Sequence, residues 1–480
     1  MNKRIKKIII TYFLFVLLFV LQKPLFMGYN HTLYKNCTLT DYLSVMFHGL
    51  PLDLSVAGYL TIIPAFLLIF SVWTNSKALY RIKQLYFGII SLLLSIIFIV
   101  NTGLYSFWEF PLDYSPLFYF FSSPKLAAAS VSYGYVIVAI LTIIIYATLL
   151  FTIFYLFLIR QKVLLKIPYY RIKESFILLV LTGVLFLPIR GGIGVSTMNI
   201  GKAFYSQDQF LNHAAVNPVF SLNASLAHQN NFDKQYQYFK PAIADSLFSQ
   251  LVDKPVSDSI PQLLNTKRPN IIFVILESFS TYIMKTMGGL PNVAINMDQY
   301  AQEGVLFTHC YANSFRTDRG LAAILSAYPA QPNTSIMKYP EKTAHLPSLI
   351  RTLQDNGYQT EYYYGGDADF TNKRSFLLSS GIEKLISESD FPINMHLNNK
   401  WGVPDGPLFN RAMEDLKKEK NKQPFLKIIQ TLSSHEPFDV PFHRLNDKVL
   451  NAFAYTDSCL GNFIENYKRT KYWKNTLIIL

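Results

Sequence analysis

Cysteine is scarce. Cys37, Cys310 and Cys459 are the three in 480 residues, an odd number that excludes an even disulfide framework. Cys310 sits in an apolar, strand-like run and Cys459 in a helical one, which reads as two buried thiols, with a bridge between them as the alternative. Charge is scarce as well: Asp, Glu, Lys and Arg make up 16% of the chain. The apolar residues crowd into the first two fifths, a split that a single soluble domain does not show. Acidic residues are the rarer sign, 31 against 44 Lys and Arg, leaving a formal charge of +13. In a chain with long uncharged runs, that excess is topology charge and contact with anionic lipid, and no nucleic-acid partner is expected.

Apolar stretches lie at 8–26, 52–73, 86–108, 133–158 and 175–188, most of them long enough to cross about 30 Å of hydrocarbon. About five spans set the two ends of the chain on opposite sides. Cations gather at Lys3, Arg4, Lys6 and Lys7, at Lys77, Arg81 and Lys83, and at Arg160, Lys162, Lys166, Arg171 and Lys173. The alternate loops, 28–51 and 109–132, hold only Lys35 and Lys125. The expectation is a multi-pass inner-membrane protein with a cytoplasmic N-terminus and everything after Arg190 extracytoplasmic, or periplasmic. Gln22, Lys23 and Pro24 interrupt the first stretch, but no small-residue cleavage site follows. A retained first helix is therefore expected, with Lys23 snorkelling to the interface. His48, Asp53 and Arg190 fall at outer ends of spans, where they either touch lipid head groups or solvate helix termini.

The chain divides into a transmembrane part at 1–190, a juxtamembrane connector at 191–265 and an α/β domain at 266–480. Pro218, Pro241, Pro255 and Pro261 break the connector, whose apolar residues point to packing against the following domain. Beyond Arg268, short apolar runs alternate with amphipathic ones, as in strands joined by crossover helices in a parallel sheet. Strands are predicted at 270–276, 304–311, 359–364, 424–431 and 475–480. Helices are predicted at 346–355, closed by Asn356-Gly357, and from Asp405 as N-cap to Lys420.

Functional groups in such a sheet belong just past the carboxyl ends of strands. Glu277 closes the first strand, where a carboxylate either holds a divalent cation or caps a helix. Thr317, in Asn313-Ser314-Phe315-Arg316-Thr317-Asp318-Arg319-Gly320, opens a helix-like run over 321–328. Its hydroxyl there is either a nucleophile favoured by the helix dipole or an ordinary N-cap. His435, in Ser433-Ser434-His435-Glu436-Pro437-Phe438, follows the fourth predicted strand and reads as structural or catalytic. Arg316 and Arg319 either clamp phosphoryl oxygens or pair with Asp318.

The order strand-Glu, loop-Thr, strand-Ser-Ser-His resembles the lipoteichoic acid synthase and phosphoglycerol transferase family, a sulfatase-like branch of the alkaline phosphatase superfamily, over nearly the whole chain. The phrases that carry it run from Arg268-Pro269-Asn270 through Glu277-Ser278-Phe279, then 313–320 with Tyr328-Pro329-Ala330-Gln331-Pro332, then Trp401-Gly402-Val403-Pro404-Asp405, then 432–438. The resemblance implies one divalent cation, manganese by ligand type with magnesium or zinc as alternatives, held by Glu277 and Thr317. It implies Thr317 as nucleophile through a phosphothreonine, and His435 on the substrate side as phosphate partner or proton carrier. Trp401 and Asp405 are assigned to loop and cap geometry. A membrane phospholipid donor and an extracytoplasmic glycan or lipid acceptor follow from the same resemblance.

Two departures matter. Where the polymerases have Phe-Trp-Asn-Arg, this chain reads Phe370-Thr371-Asn372-Lys373, so Lys373 takes the place of a phosphate-binding arginine. The family's Asp-His-Gly, which follows a last strand like 475–480, lies outside the sequence. The expectation is a metal site that the 480 residues alone leave incomplete, inactive as given and active in a longer parent. Phosphoglycerol transfer is the leading expectation. Phosphoethanolamine transfer, a sulfatase-like hydrolase and a non-catalytic membrane-anchored binding module are its alternatives. A sulfatase needs a Cys or Ser in a Cys/Ser-x-Pro-x-Arg setting, which neither Cys310 nor Ser314 has.

Overall fold

The computed structural model describes residues 2–34, 37–74, 76–114, 116, 133–160, 167–227, 238–252, 262–331, 334–396, 401–418 and 424–480. Lys35, Lys125, Lys162, Lys166, Pro255, Pro261, Pro332 and Lys420, used in the sequence reading, lie outside the described residues.

Among the described residues, five helical stretches are long and apolar enough to cross a membrane: α1 (Asn2–Tyr29), α2 (Leu39–Phe70), α3 (Lys77–Trp108), the stretch Gly134–Ile159 that holds most of α4 (Tyr133–Phe154), and the stretch Arg171–Arg190 that opens with α5 (Arg171–Val184). Helix α2 starts well before its apolar stretch, because the Thr38 side chain accepts from the Asp41 amide and the Asp41 carboxylate accepts from the Thr38 amide. That reciprocal cap lets 39–51, expected as loop, continue the helix to 32 residues, about 48 Å. Arg4 is buried and bridges three helices, from its guanidinium to Glu174 at 3.3 Å and to the Ser71 carbonyl at 2.9 Å.

Lys23 does not snorkel, and Asp53 does not reach lipid. Lys23 Nζ lies 2.5 Å from Asp53 Oδ2, with 4% and 0% of the side chains exposed. Asn217 Nδ2 donates to Asp53 Oδ1 at 2.9 Å, while its Oδ1 accepts from the Val219 and Phe220 amides. In hydrocarbon-like surroundings an ammonium finds no cheaper partner than a carboxylate already desolvated beside it. Gly49 makes room for the pair, since a Cβ there would stand 2.1 Å from Lys23 Cε and 2.3 Å from the Ala215 carbonyl. His48 stacks on Tyr205 at 4.0 Å, and Arg190 donates to the Gly192 and Gly194 carbonyls beyond its helix end.

The connector packs first on the membrane helices. Helix α6 (Gln209–Ala215) puts Phe210, Leu211 and Ala214 into a cluster with Phe26, Val45 and Leu52, and α7 (Pro218–Ala227) follows it. The preceding turn then reaches the α/β domain: Ser196 N donates to Asp367 Oδ2, Asn199 Nδ2 to the Asp369 carbonyl and Gly201 N to Asn372 Oδ1.

The domain is one parallel sheet in the order β3-β2-β4-β1-β5, with β1 at Asn270–Ile275, β2 at Gln359–Tyr364, β3 at Lys384–Ile386, β4 at Phe425–Gln430 and β5 at Thr476–Ile479. Central β4 is buried at every position, as a strand covered on both faces should be. Its one cation, Lys427, pairs with Glu361 opposite it on β2. The strand expected at 304–311 is absent: Val305, Phe307 and Tyr311 are exposed, and β1 is already paired on both edges by β4 and β5. Cys310 in that run is exposed, while Cys459 is buried; both are free thiols. Helix α8 (Thr317–Ser326) follows the run, α9 (Lys373–Ser379) follows β2, α10 (Asp405–Lys418) precedes β4 and α11 (Lys448–Lys468) precedes β5.

Candidate active site

Strands β2, β4 and β1 are neighbours and parallel, so whatever follows their carboxyl ends meets at one rim. Glu277 follows β1 there. Its amide donates to Thr431 Oγ1 at 2.8 Å and its carbonyl accepts from Ser434 Oγ at 2.6 Å, so the turn after β4 is laced to it from both sides. Ser278 holds φ at 60°, a strained value for a residue with a Cβ, and its hydroxyl donates to Glu277 Oε1 at 3.2 Å.

Thr317 is the first residue of α8, and Arg316 occupies the N-cap position without a side-chain cap bond. The Thr317 hydroxyl therefore does not cap the helix. It donates to the Glu277 carboxylate, 3.1 Å from Oε2 and 3.3 Å from Oε1. That places a carboxylate and a hydroxyl together at the positive end of a ten-residue helix, where negative charge developing on oxygen is favoured. The two oxygens suit a hard divalent cation. Among the described residues, no group of three or more His, Cys, Asp or Glu side chains is placed to hold a metal ion.

His435 lies in the turn after β4. Its Nδ1 is 2.9 Å from the Glu436 carbonyl, which can only accept, so Nδ1 carries the proton and Nε2 is left as the neutral ring's acceptor. Trp401 packs on the imidazole at 4.5 Å between ring centroids and donates its Nε1–H to the same carbonyl. Phe370 stands edge-on to that indole at 5.6 Å. The ring contact with His435 was not legible in the sequence, where the two residues are far apart. Asp405 does more than start α10. Fully buried, its carboxylate accepts from the Leu432 and Ser433 amides and from Thr456 Oγ1, while its amide donates to Ser433 Oγ. It thus holds the turn that presents His435.

Thr371 and Asn372 both adopt positive φ, 57° and 59°, and the connector bonds to Asp369 and Asn372 brace this turn. It delivers Lys373 inward rather than onto the open surface: the side chain is 3% exposed, Nζ lies 3.3 Å from the centre of the Tyr364 ring and donates to Gln430 Oε1 at 3.1 Å. Lys373 is therefore buried between Tyr364 and Gln430 rather than open to solvent. Burial pushes its ammonium down to about 7, opposed by Glu277, Asp367 and Asp318. Arg316 is exposed, with no ion pair among the described residues. Arg319 sits over Phe315 at 5.5 Å.

Replacing Lys373 by Met is expected to lower kcat/KM for an anionic substrate by roughly 10- to 100-fold, the scale of one charge lost some 8 Å away at an effective dielectric of about 20. The ammonium is present below about pH 7 and lost above it. KM of the wild type should therefore rise through that pH, and the Met variant should lack this limb in a steady-state pH profile.

The sulfatase family model matches residues 269–480. Among curated proteins, the chain is 22% identical over 226 residues to the lipoteichoic acid synthase-like YvgJ of Bacillus subtilis, covering 44% of this chain and 36% of that one. It is 26% identical over 242 residues to phosphoglycerol transferase I of Xanthomonas campestris, covering 46% and 34%. The chain thus spans about a third of the length of these relatives. A solved alkaline phosphatase superfamily protein from Vibrio parahaemolyticus is 30% identical, with a TM-score of 0.42, covering 45% of this chain and 54% of that one.

Proposed function

We propose a membrane-bound, metal-dependent phosphotransferase, because residues 269–480 match the sulfatase family and are similar to lipoteichoic acid synthase-like and phosphoglycerol transferase proteins, and the described residues hold five membrane-length helical stretches. It takes a phosphoglycerol-type head group from a membrane phospholipid and passes it to an extracytoplasmic glycan or lipid. The observation that carries this reading is the Thr317 hydroxyl 3.1 Å from the Glu277 carboxylate at the start of α8.

Glu277 and Thr317 would be two ligands of a divalent cation, manganese first and magnesium or zinc next; when bound, it supplies positive charge that acidifies the Thr317 hydroxyl. Thr317 Oγ1 gives up its proton to solvent and attacks phosphorus, the P–O bond to the diacylglycerol oxygen breaks with that oxygen taking a proton from solvent, and a phosphodiester on Thr317 results. His435 Nε2 is the acceptor on the rim that takes the proton of the incoming hydroxyl in the second half, when the acceptor oxygen displaces Thr317. Trp401 and Asp405 hold that imidazole in position, and Lys373 adds positive field beneath the phosphoryl group. The net positive charge of the chain fits work at an anionic membrane surface.

The test is transfer from a phospholipid labelled in its head group, using the full-length protein in liposomes. Chelation should stop release of diacylglycerol and manganese should restore it. Release unaffected by exhaustive chelation would remove the metal from the reading, and no release from any phospholipid would remove the transferase.

A further inference from the structure

Between the membrane helices and the α/β domain lies a cleft of about 1200 Å³. One wall is α2, through Val56, Tyr59 and Leu60; the others come from residues 110–114 after α3, from the connector and from the 338–342 and 370–372 turns of the α/β domain. Those three residues sit near the middle of a 32-residue helix, and Tyr59 is 56% exposed on it. The cleft therefore runs from a surface suited to hydrocarbon to one suited to water, a gradient that matches an amphiphile.

Its polar end is unsatisfied. Ser221 is 1% exposed and its hydroxyl has no partner; the Asn199 Oδ1 is likewise buried without one. A buried hydroxyl left unpaired is costly, and an arriving ester or phosphate oxygen removes that cost. Lys338 and Lys342 face the cleft together with Asp113 and with Glu341, whose carboxyl burial pushes up to about 7, so the lining offers both signs of charge to a phosphodiester head.

We infer that this cleft lodges one diacyl phospholipid, its acyl chains along Val56, Tyr59 and Leu60 and its head toward Ser221, Asn199 and the 338–342 turn. The inference rests on the transferase reading and gives the donor a place. The 370–372 turn is at once the cleft wall and the lead-in to Lys373, and Phe370 in it touches the Trp401 that packs on His435. A lipid held there has its head one aromatic layer from the rim, and the choice between glycerol and ethanolamine heads falls to the Thr317 end.

The full-length protein in nanodiscs would be irradiated with phosphatidylglycerol or phosphatidylethanolamine carrying a diazirine in one acyl chain, and the labelled peptides mapped. Labelling of 56–60 and 219–225 by both lipids is expected, with at least a tenfold fall in Ala224→Trp and in Asn223→Trp, the latter at an exposed position that tolerates bulk. Both variants should also lose at least tenfold in turnover of the long-chain lipid, yet keep wild-type turnover of a tail-less glycerophosphodiester. Labels confined to other peptides, or folded Trp variants with wild-type turnover of long-chain lipid, would overturn the inference. Failure of the wild type to turn over either donor counts against the transferase alone, because the label map still decides the cleft.

Discussion

Thr317→Ala should lower phospholipid head-group release by about 10⁴-fold or more, the scale of deleting a covalent nucleophile. Stability should change by no more than about 1 kcal/mol, because the lost bond to Glu277 is a single half-buried one. Thr317→Ser separates chemistry from helix capping. Serine keeps a hydroxyl and restores turnover in part, whereas a capping role would leave the Ala variant active and less stable. The geometry already argues against capping, since the hydroxyl donates to the Glu277 carboxylate and Arg316 holds the N-cap position. Steady-state kinetics beside thermal unfolding in detergent would decide it.

The second large effect is in the membrane half. Asp53→Ala leaves the Lys23 ammonium buried and unpaired and should cost about 3–5 kcal/mol. Asn217 also loses its acceptor, so the connector loosens from α1 and α2. The double variant Lys23→Met with Asp53→Leu should recover most of that stability, since a buried pair exchanged for apolar groups is often near neutral. Thermal unfolding of the two variants in one detergent gives the comparison. A single variant as stable as the double would mean that water reaches the pair. Asn217 directly precedes α7, and the connector turn before α6 bonds to Asp367, Asp369 and Asn372 next to Lys373.

Much of the sheet was legible because buried parallel strands are short apolar runs. Residues 270–276, 359–364 and 424–431 each contain a strand within a residue of the expected ends. The run at 304–311 has the same composition but no strand edge to pair with, and composition alone cannot report an edge. Strand β3, Lys384-Leu385-Ile386, is too short to leave a periodic signal. Glu277 and His435 stand out as candidates from their places after β1 and β4, whereas Thr317, with no strand before it, stands out from the motif order alone. The structure shows Thr317 bonded to Glu277 and the Ser434 hydroxyl bonded to the Glu277 carbonyl. The motif marks Lys373 as a phosphate partner but not its burial, which follows from two successive left-handed residues that turn it inward under Tyr364. Lys23 and Asp53 read singly as interface residues because their pairing depends on how α1 and α2 pack, which no local pattern encodes.

The most direct test of the central assignment is mass spectrometry of the full-length protein incubated with manganese and mixed phospholipids, beside its Thr317→Ala variant. A glycerophosphate added to Thr317, absent from the variant and discharged by an acceptor, is the expected result. An unmodified Thr317 in a sample that releases diacylglycerol, with the adduct on another residue, would contradict it.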